Sequence, residues 1–163
     1  MANTQAMCTS FMQQLMVGEH QLGTATLTSR TSLTSPTTDT LKAALYLTTA
    51  TVNASTTAYS ASNEVSGTGY AAGGVTVTNA TAPNSTNTTA TAGVAFFTPS
   101  ASITYTTVTL STAFDAVLIY NSTQSNKAIS VHTFGSQTVT AGTFTLTMPS
   151  NTTSTALIRL ATT

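Results

Sequence analysis

Few residues of this chain belong to types that do chemistry. There are two histidines, one cysteine, two aspartates and two glutamates in 163 residues. Glu19 and His20 are neighbours, the pairing that acid/base catalysis or a metal site would use, but directly after a helix they read as a solvated turn. His132 is the other imidazole, and it falls in a stretch that reads as a strand. Serine and threonine are abundant, but a nucleophile needs a positioned base and a group that orients it. No local pattern supplies them. Two histidines and one cysteine do not make a zinc spacing. Asp39 or Asp115, with loop carbonyls, are the places where calcium could be held. Paired carboxylates for glycoside chemistry are not suggested by any local pattern. Gly67-x-Gly69 invites a phosphate-loop reading, but it leads into Val75-Thr76-Val77-Thr78, a strand, with no lysine nearby. Phosphate loops open helices. The glycines of 67–74 read as turns and bulges instead. Neither a catalytic residue nor a cofactor or metal site is expected.

Charge is the unusual property. Four basic and four acidic side chains make 5% of the chain, with net charge zero, against about 25% charged in ordinary globular domains. Threonine, serine and asparagine must carry the surface hydration. This fits residence inside a larger assembly, or a secreted hydroxyl-rich β-protein. No basic stripe exists, so no nucleic-acid partner is expected. No run approaches the roughly 18 apolar residues of a membrane span. Met1-Ala2-Asn3-Thr4-Gln5 lacks the basic and apolar regions of a secretory signal. The six Asn-x-Ser/Thr sequons, at Asn53, Asn79, Asn84, Asn87, Asn121 and Asn151, arise by chance in so Asn- and Thr-rich a chain. Cys8 alone supports no intrachain disulfide and reads as a small buried side chain.

The elements follow from periodicity. Residues 4–17 read as the one helix, with Met7, Phe11 and Leu15 at i, i+4, i+8 and Met12 and Met16 alongside. Thr4 is placed to cap it and Gly18 to end it. This face packs on the chain's own sandwich, or docks as an arm on a neighbour. Leu41 to Leu47 alternates as a core strand. Residues 79–92 form a loop tip or protruding ribbon, and 93–98 is a short strand with Phe96 and Phe97. Residues 103–111 alternate from Ile103 and Tyr105 and then shift register at Val108, the mark of a bulge. Ala116 to Tyr120, five apolar residues, is a strand covered on both faces and central to its sheet. Lys127 to Phe134 is its neighbour, broken at Gly135-Ser136. Gln137–Thr140 and Thr143–Met148 should close as a hairpin around Ala141-Gly142, with Val139 opposite Phe144. Residues 156–160 close the fold.

The expected architecture is all-β. It is an antiparallel, jelly-roll-like β-sandwich of about eight strands with one short N-terminal helix. Residues 1–22 form the helix or arm, and 23–163 one sandwich domain.

Four stretches stand out together: Phe11 with its helix and Gly18; Asp39-Thr40-Leu41-Lys42-Ala43-Ala44-Leu45-Tyr46; Asn63-Glu64-Val65-Ser66-Gly67-Thr68-Gly69-Tyr70 with Gly73-Gly74; and Ala116–Tyr120 followed by Phe134-Gly135-Ser136 through Gly142-Thr143-Phe144. They resemble a widespread group of small virion structural proteins of tailed bacteriophages. The chain departs from that group in carrying far fewer charges. The resemblance implies a non-enzymatic capsid decoration (cement) protein on the capsid exterior, partnered by the major capsid protein. A virion-displayed carbohydrate- or host-surface-binding module is the alternative, with Tyr59, Tyr70 and Tyr105 as sugar-facing aromatics; a tail or fibre component is another. Neutral strand edges invite self-association, with a homotrimer or another small symmetric oligomer expected. The expected interface residues are Met7, Phe11, Leu15, Phe96, Phe97, Ile103 and Tyr105.

Overall fold

The computed structural model describes residues 2–23, 38–89 and 92–162. The Thr/Ser-rich segment 24–37, which by sequence reads as part of a loop or edge segment, lies outside them. The fold is all-β, with two antiparallel sheets and one short helix. The strands are β1 (Ala6–Met7), β2 (Leu41–Leu47), β3 (Val75–Thr76), β4 (Asn84–Thr89), β5 (Ala92–Phe97), β6 (Ile103–Asn121), β7 (Lys127–Leu146) and β8 (Ile158–Ala161); α1 spans Thr9–Met16. The larger sheet has the order β1-β7-β6-β2-β3 and the smaller one β4-β5-β8. No helix among the described residues is long and apolar enough to cross a membrane.

The Ala116–Tyr120 run is the centre of the large sheet, as its unbroken apolar character requires. It pairs with β2 on one side and β7 on the other, and every residue in it is buried. Both faces of β2 are used as well: Leu41, Ala43 and Leu45 are buried, and so are Ala44 and Tyr46. Phe97 and Ile158, paired across β5 and β8, join the small sheet to the same apolar core.

The expected bulge is present. Register slips between Tyr105 and Val108, where Thr107 takes a positive φ of 54°. The hairpin at Ala141-Gly142 is a correction. β7 runs unbroken through Gly135-Ser136 and through Ala141-Gly142. Ala141, with φ 45°, makes a bulge rather than a turn. Val139 lies opposite Leu110, and Phe144 opposite Tyr105. The 103–111 segment and the central run form a single strand, β6, and its length gives both arms of the expected hairpin a partner. A hairpin would have paired the arms only with each other. Phe144 instead packs edge-on against Phe114, with centroids 5.0 Å apart, and beside Phe134 and Tyr105.

The helix is also shorter than 4–17. Residues 6 and 7 pair with Val131 and Ser130 at the β7 edge, and Thr4 N–H donates to Val52 O. Cys8, extended and without a capping side chain, starts the helix. Eight residues are too few for an isolated helix to persist, so tertiary packing sets its limits. Its end is as expected. Gly18, at φ 74°, donates to Leu15 O while Glu19 donates to Gln14 O, the paired bonds of a Schellman motif.

Candidate functional site

The polar chemistry gathers in two clusters. The first is built on Glu64, in the loop between β2 and β3, and only 9% exposed. Tyr59 OH donates to its Oε2 at 2.6 Å; Tyr70 OH and Gly73 N–H donate to its Oε1 at 2.7 and 2.8 Å. All five tyrosines of the chain belong to this region. Tyr46 OH donates to Ser60 O, Tyr105 OH to Ala43 O and Tyr120 OH to Gly73 O. Their rings stack in pairs, Tyr59 on Tyr120 at 4.7 Å and Tyr70 on Tyr105 at 5.8 Å. Burial, reinforced by the Glu64 hydrogen bonds, holds the Tyr59 and Tyr70 hydroxyls far above the usual phenol range. Burial likewise pushes Tyr46 up to about 12. Each phenol therefore keeps its proton and commits it to Glu64 or to backbone.

The glycine-rich stretch makes this clamp. Gly74, at φ 70°, lies so close to β2 that a Cβ there would sit 1.7 Å from Ala43 O. A Cβ on Gly67 would meet Thr109 O of β6 at 2.0 Å. The loop thus lies flat on β2 and β6, where Val65 N–H donates to Leu45 O and Thr109 N–H to Thr68 O. The glycines serve this close approach of backbone to backbone.

The second cluster joins α1 to the far end of the large sheet. Asp39, 3% exposed, accepts from Gln21 N–H at 2.8 Å and Asn121 Nδ2 at 2.6 Å through Oδ2, and from Gln124 Nε2 at 3.2 Å through Oδ1. Asn121 Nδ2 also reaches His20 Nδ1 at 2.9 Å, and His20 Nε2 meets Gln14 Oε1 at 2.8 Å. An amide NH2 has only protons to offer, so Nδ1 accepts and Nε2 carries the proton to Gln14. Burial lowers the His20 pKa, against the raising influence of Asp39 and Glu19. Glu19 itself pairs with Lys127. The Glu19-His20 pair is therefore no open turn; it is a half-buried latch. Three N–H donors surround the Asp39 carboxylate, the opposite of what a cation site presents. Asp115 lies elsewhere, accepting from Asn3 Nδ2 at 2.6 Å.

Ser130 and His132 form a smaller unit, Oγ to Nε2 at 2.9 Å. Burial pushes the His132 pKa down to about 4. Among the described residues no carboxylate hydrogen-bonds its other nitrogen, so the pair lacks the orienting group of a nucleophilic triad. Cys8 is buried, and burial raises its thiol to about 11, far from the thiolate that reactivity needs.

The residues expected at an interface are mostly inside the chain's own core. Phe11, Phe96, Phe97, Ile103 and Tyr105 are buried, while Met7 and Leu15 are partly covered. The fold brings Leu15, Phe96 and Phe97 together around an apolar cavity of about 200 Å³ between α1 and the small sheet. Met7 lies apart, next to Ser130 on β7. Among the described residues the exposed methionines are Met12 and Met16, the latter 79% exposed. Gln14 is buried in their place, because His20 gives its amide a partner. Of the two acids that organise the polar clusters, sequence did not single out Glu64, and it singled out Asp39 only as a place for calcium. The available signal was weak: isolated acids beside a Gly-Gly turn and before a core strand.

No family model, curated protein or solved structure matches the chain.

Proposed function

We propose that this chain is a non-enzymatic structural protein of a tailed-phage virion, a capsid decoration (cement) protein bound on the shell exterior across capsid subunits. The observation that carries this reading is how the ionisable groups are used. Glu64, Asp39, His20 and all five tyrosines are consumed in hydrogen bonds that hold loops to sheets. Such groups rigidify a fold and leave a neutral, hydroxyl-rich exterior. A rigid neutral surface suits permanent contact with other protein, here the major capsid protein and further copies of this chain. The resemblance of the 39–46, 63–74 and 116–144 stretches to phage virion proteins supports the same reading.

A hollow of about 400 Å³ bordered by Tyr46, Thr51, Ser55, Ser60 and Asn63 is a place the carbohydrate-binding alternative could use. The rings of Tyr59, Tyr70 and Tyr105 are stacked within the clamp. A reconstruction of the virion tests the proposal. Density for this fold across capsid-subunit boundaries is the expected result. Density confined to tail or fibres would move the protein to that class, and its absence from the particle would refute a virion role.

A further inference from the structure

β7 is the longest strand of the structure, and most of one side of it is open. β1 covers that side only at Ser130 and Val131, with Cys8 N–H adding a bond to Ile129 O. Beyond Val131, no described residue outside β6 pairs with the strand as far as Leu146. Proteins blunt such an edge with lysine, proline or bulges. Between Ala128 and Met148 there is no charged residue and no proline. Bulges do occur. Register slips around Phe134–Ser136, where four β7 residues span two of β6, and again at Ala141. They kink the strand up to Ala141, so Gly142–Leu146 lies beyond the last bulge of β7 itself, with the β6 bulge at Thr107 opposite Gly142–Phe144. Within this piece Thr143 and Thr145 are exposed, and Phe144 and Leu146 are half-buried.

We infer that Gly142–Leu146 is a self-association seam: a second copy adds its own β7 antiparallel to this one, about a two-fold axis through Phe144. The partner is another copy for reasons of charge and symmetry. The chain has net charge zero and the seam has none, so identical surfaces meet without repulsion. A two-fold axis makes one patch its own complement. In this register Thr143 faces Thr145 of the partner subunit, a favourable cross-strand pair, and the two Phe144 rings adjoin. Five residues bury less than the roughly 1,200–2,000 Å² of a standard stable interface. The expected equilibrium is therefore weak and concentration-dependent. A two-fold seam gives a dimer, one of the small symmetric oligomers that the sequence allows beside a homotrimer.

Sedimentation of the purified chain tests this. The expected result is a 16.7 kDa monomer at low concentration, passing to a dimer as concentration rises. Thr143→Lys/Thr145→Lys sets like charges opposite each other and should weaken dimerisation at least tenfold. Both sites are exposed, so its melting temperature should stay that of the wild type. Met16→Lys, on the exposed helix face, should leave the dimer intact. Three results would each overturn the seam: a wild-type monomer throughout, a homotrimer, or a dimer that Met16→Lys abolishes and the β7 lysines do not.

Discussion

Replacing Glu64 by alanine tests whether the clamp holds the fold. The change removes the acceptor of Tyr59 OH, Tyr70 OH and Gly73 N–H. Hydrogen bonds to a charged group contribute about 1.5–3 kcal/mol each. Tyr59 is only half-buried, and water can replace its partner. Tyr70 and Gly73 have less recourse, since the Gly73 bond is buried. Two orphaned donors give a loss of about 3–6 kcal/mol. Releasing a buried charge from its desolvation cost returns part of this, so the expected net is about 3 kcal/mol. In a chain of this length that lowers Tm by roughly 6–12 °C. Glu64→Gln should cost less, about 1–2 kcal/mol. Its carbonyl still accepts from Tyr70 and Gly73, and its NH2 can donate to the Tyr59 oxygen. Urea unfolding, with an unchanged m-value, gives both numbers, and near-ultraviolet circular dichroism reports the tyrosine cluster directly. A Glu64→Ala change within about 0.5 kcal/mol of wild type, or a glutamine variant as damaged as the alanine one, would refute the reasoning.

Phe11→Ala should cost the free protein about 3–5 kcal/mol, because the ring is fully buried and lies 5.0 Å from His20; an unchanged melting temperature would mean that α1 docks elsewhere. Gly74→Ala should destabilise by more than about 2 kcal/mol, since φ is 70° and the new Cβ would collide with Ala43 O; equal urea midpoints would contradict the close approach. Stability should also depend on acid. The His132 pKa falls from 6.5 to about 4 on folding, so its contribution is fully present above pH 6.5 and is lost as pH falls through 4. At 1.36 kcal/mol per unit this is at most about 3 kcal/mol. His20 acts in the same direction, and His132→Asn should flatten the profile of unfolding midpoint against pH.

The parts of the fold legible in sequence were those fixed by local alternation and by uninterrupted apolar runs. The central position of Ala116–Tyr120, the strand at Leu41–Leu47 and the bulge before Val108 all follow from side-chain pattern. So does the helix stop at Gly18. The continuity of β7 does not. Gly135-Ser136 and Ala141-Gly142 have the composition of turns, yet β6 offers a longer set of partners than a local hairpin would. Composition marks where a chain can bend, whereas a partner 30 residues away decides whether it does so as a turn or as a bulge. The helix failed in the same way at its start: Met7 fits the helical stripe, but the free edge of β7 claims the backbone of Ala6 and Met7.

The polar clusters were hidden for a related reason. Asp39 and Asn121 are 82 positions apart, and His20 lies 101 from Asn121. Glu64 is near Tyr59 and Tyr70 in sequence, but Tyr120 and Tyr105, which stack on those two rings, come from a strand far along the chain that pairs with β2. Once those partners are known, the low charge has a structural explanation. Of the eight charged residues, Asp39 and Glu64 are buried acceptors, Glu19 and Lys127 pair with each other, Asp115 holds Asn3, and Arg159 donates to Thr153 O. The few charges present bind loops, the N-terminal segment and the helix to the sheets, and little is left to keep molecules apart. Protection of the open strand edges then falls to bulges and hydrated threonines. That protection is thinnest at Gly142–Leu146, beyond the last bulge of β7, and the low charge of the whole surface is what lets a second copy come close enough to use it.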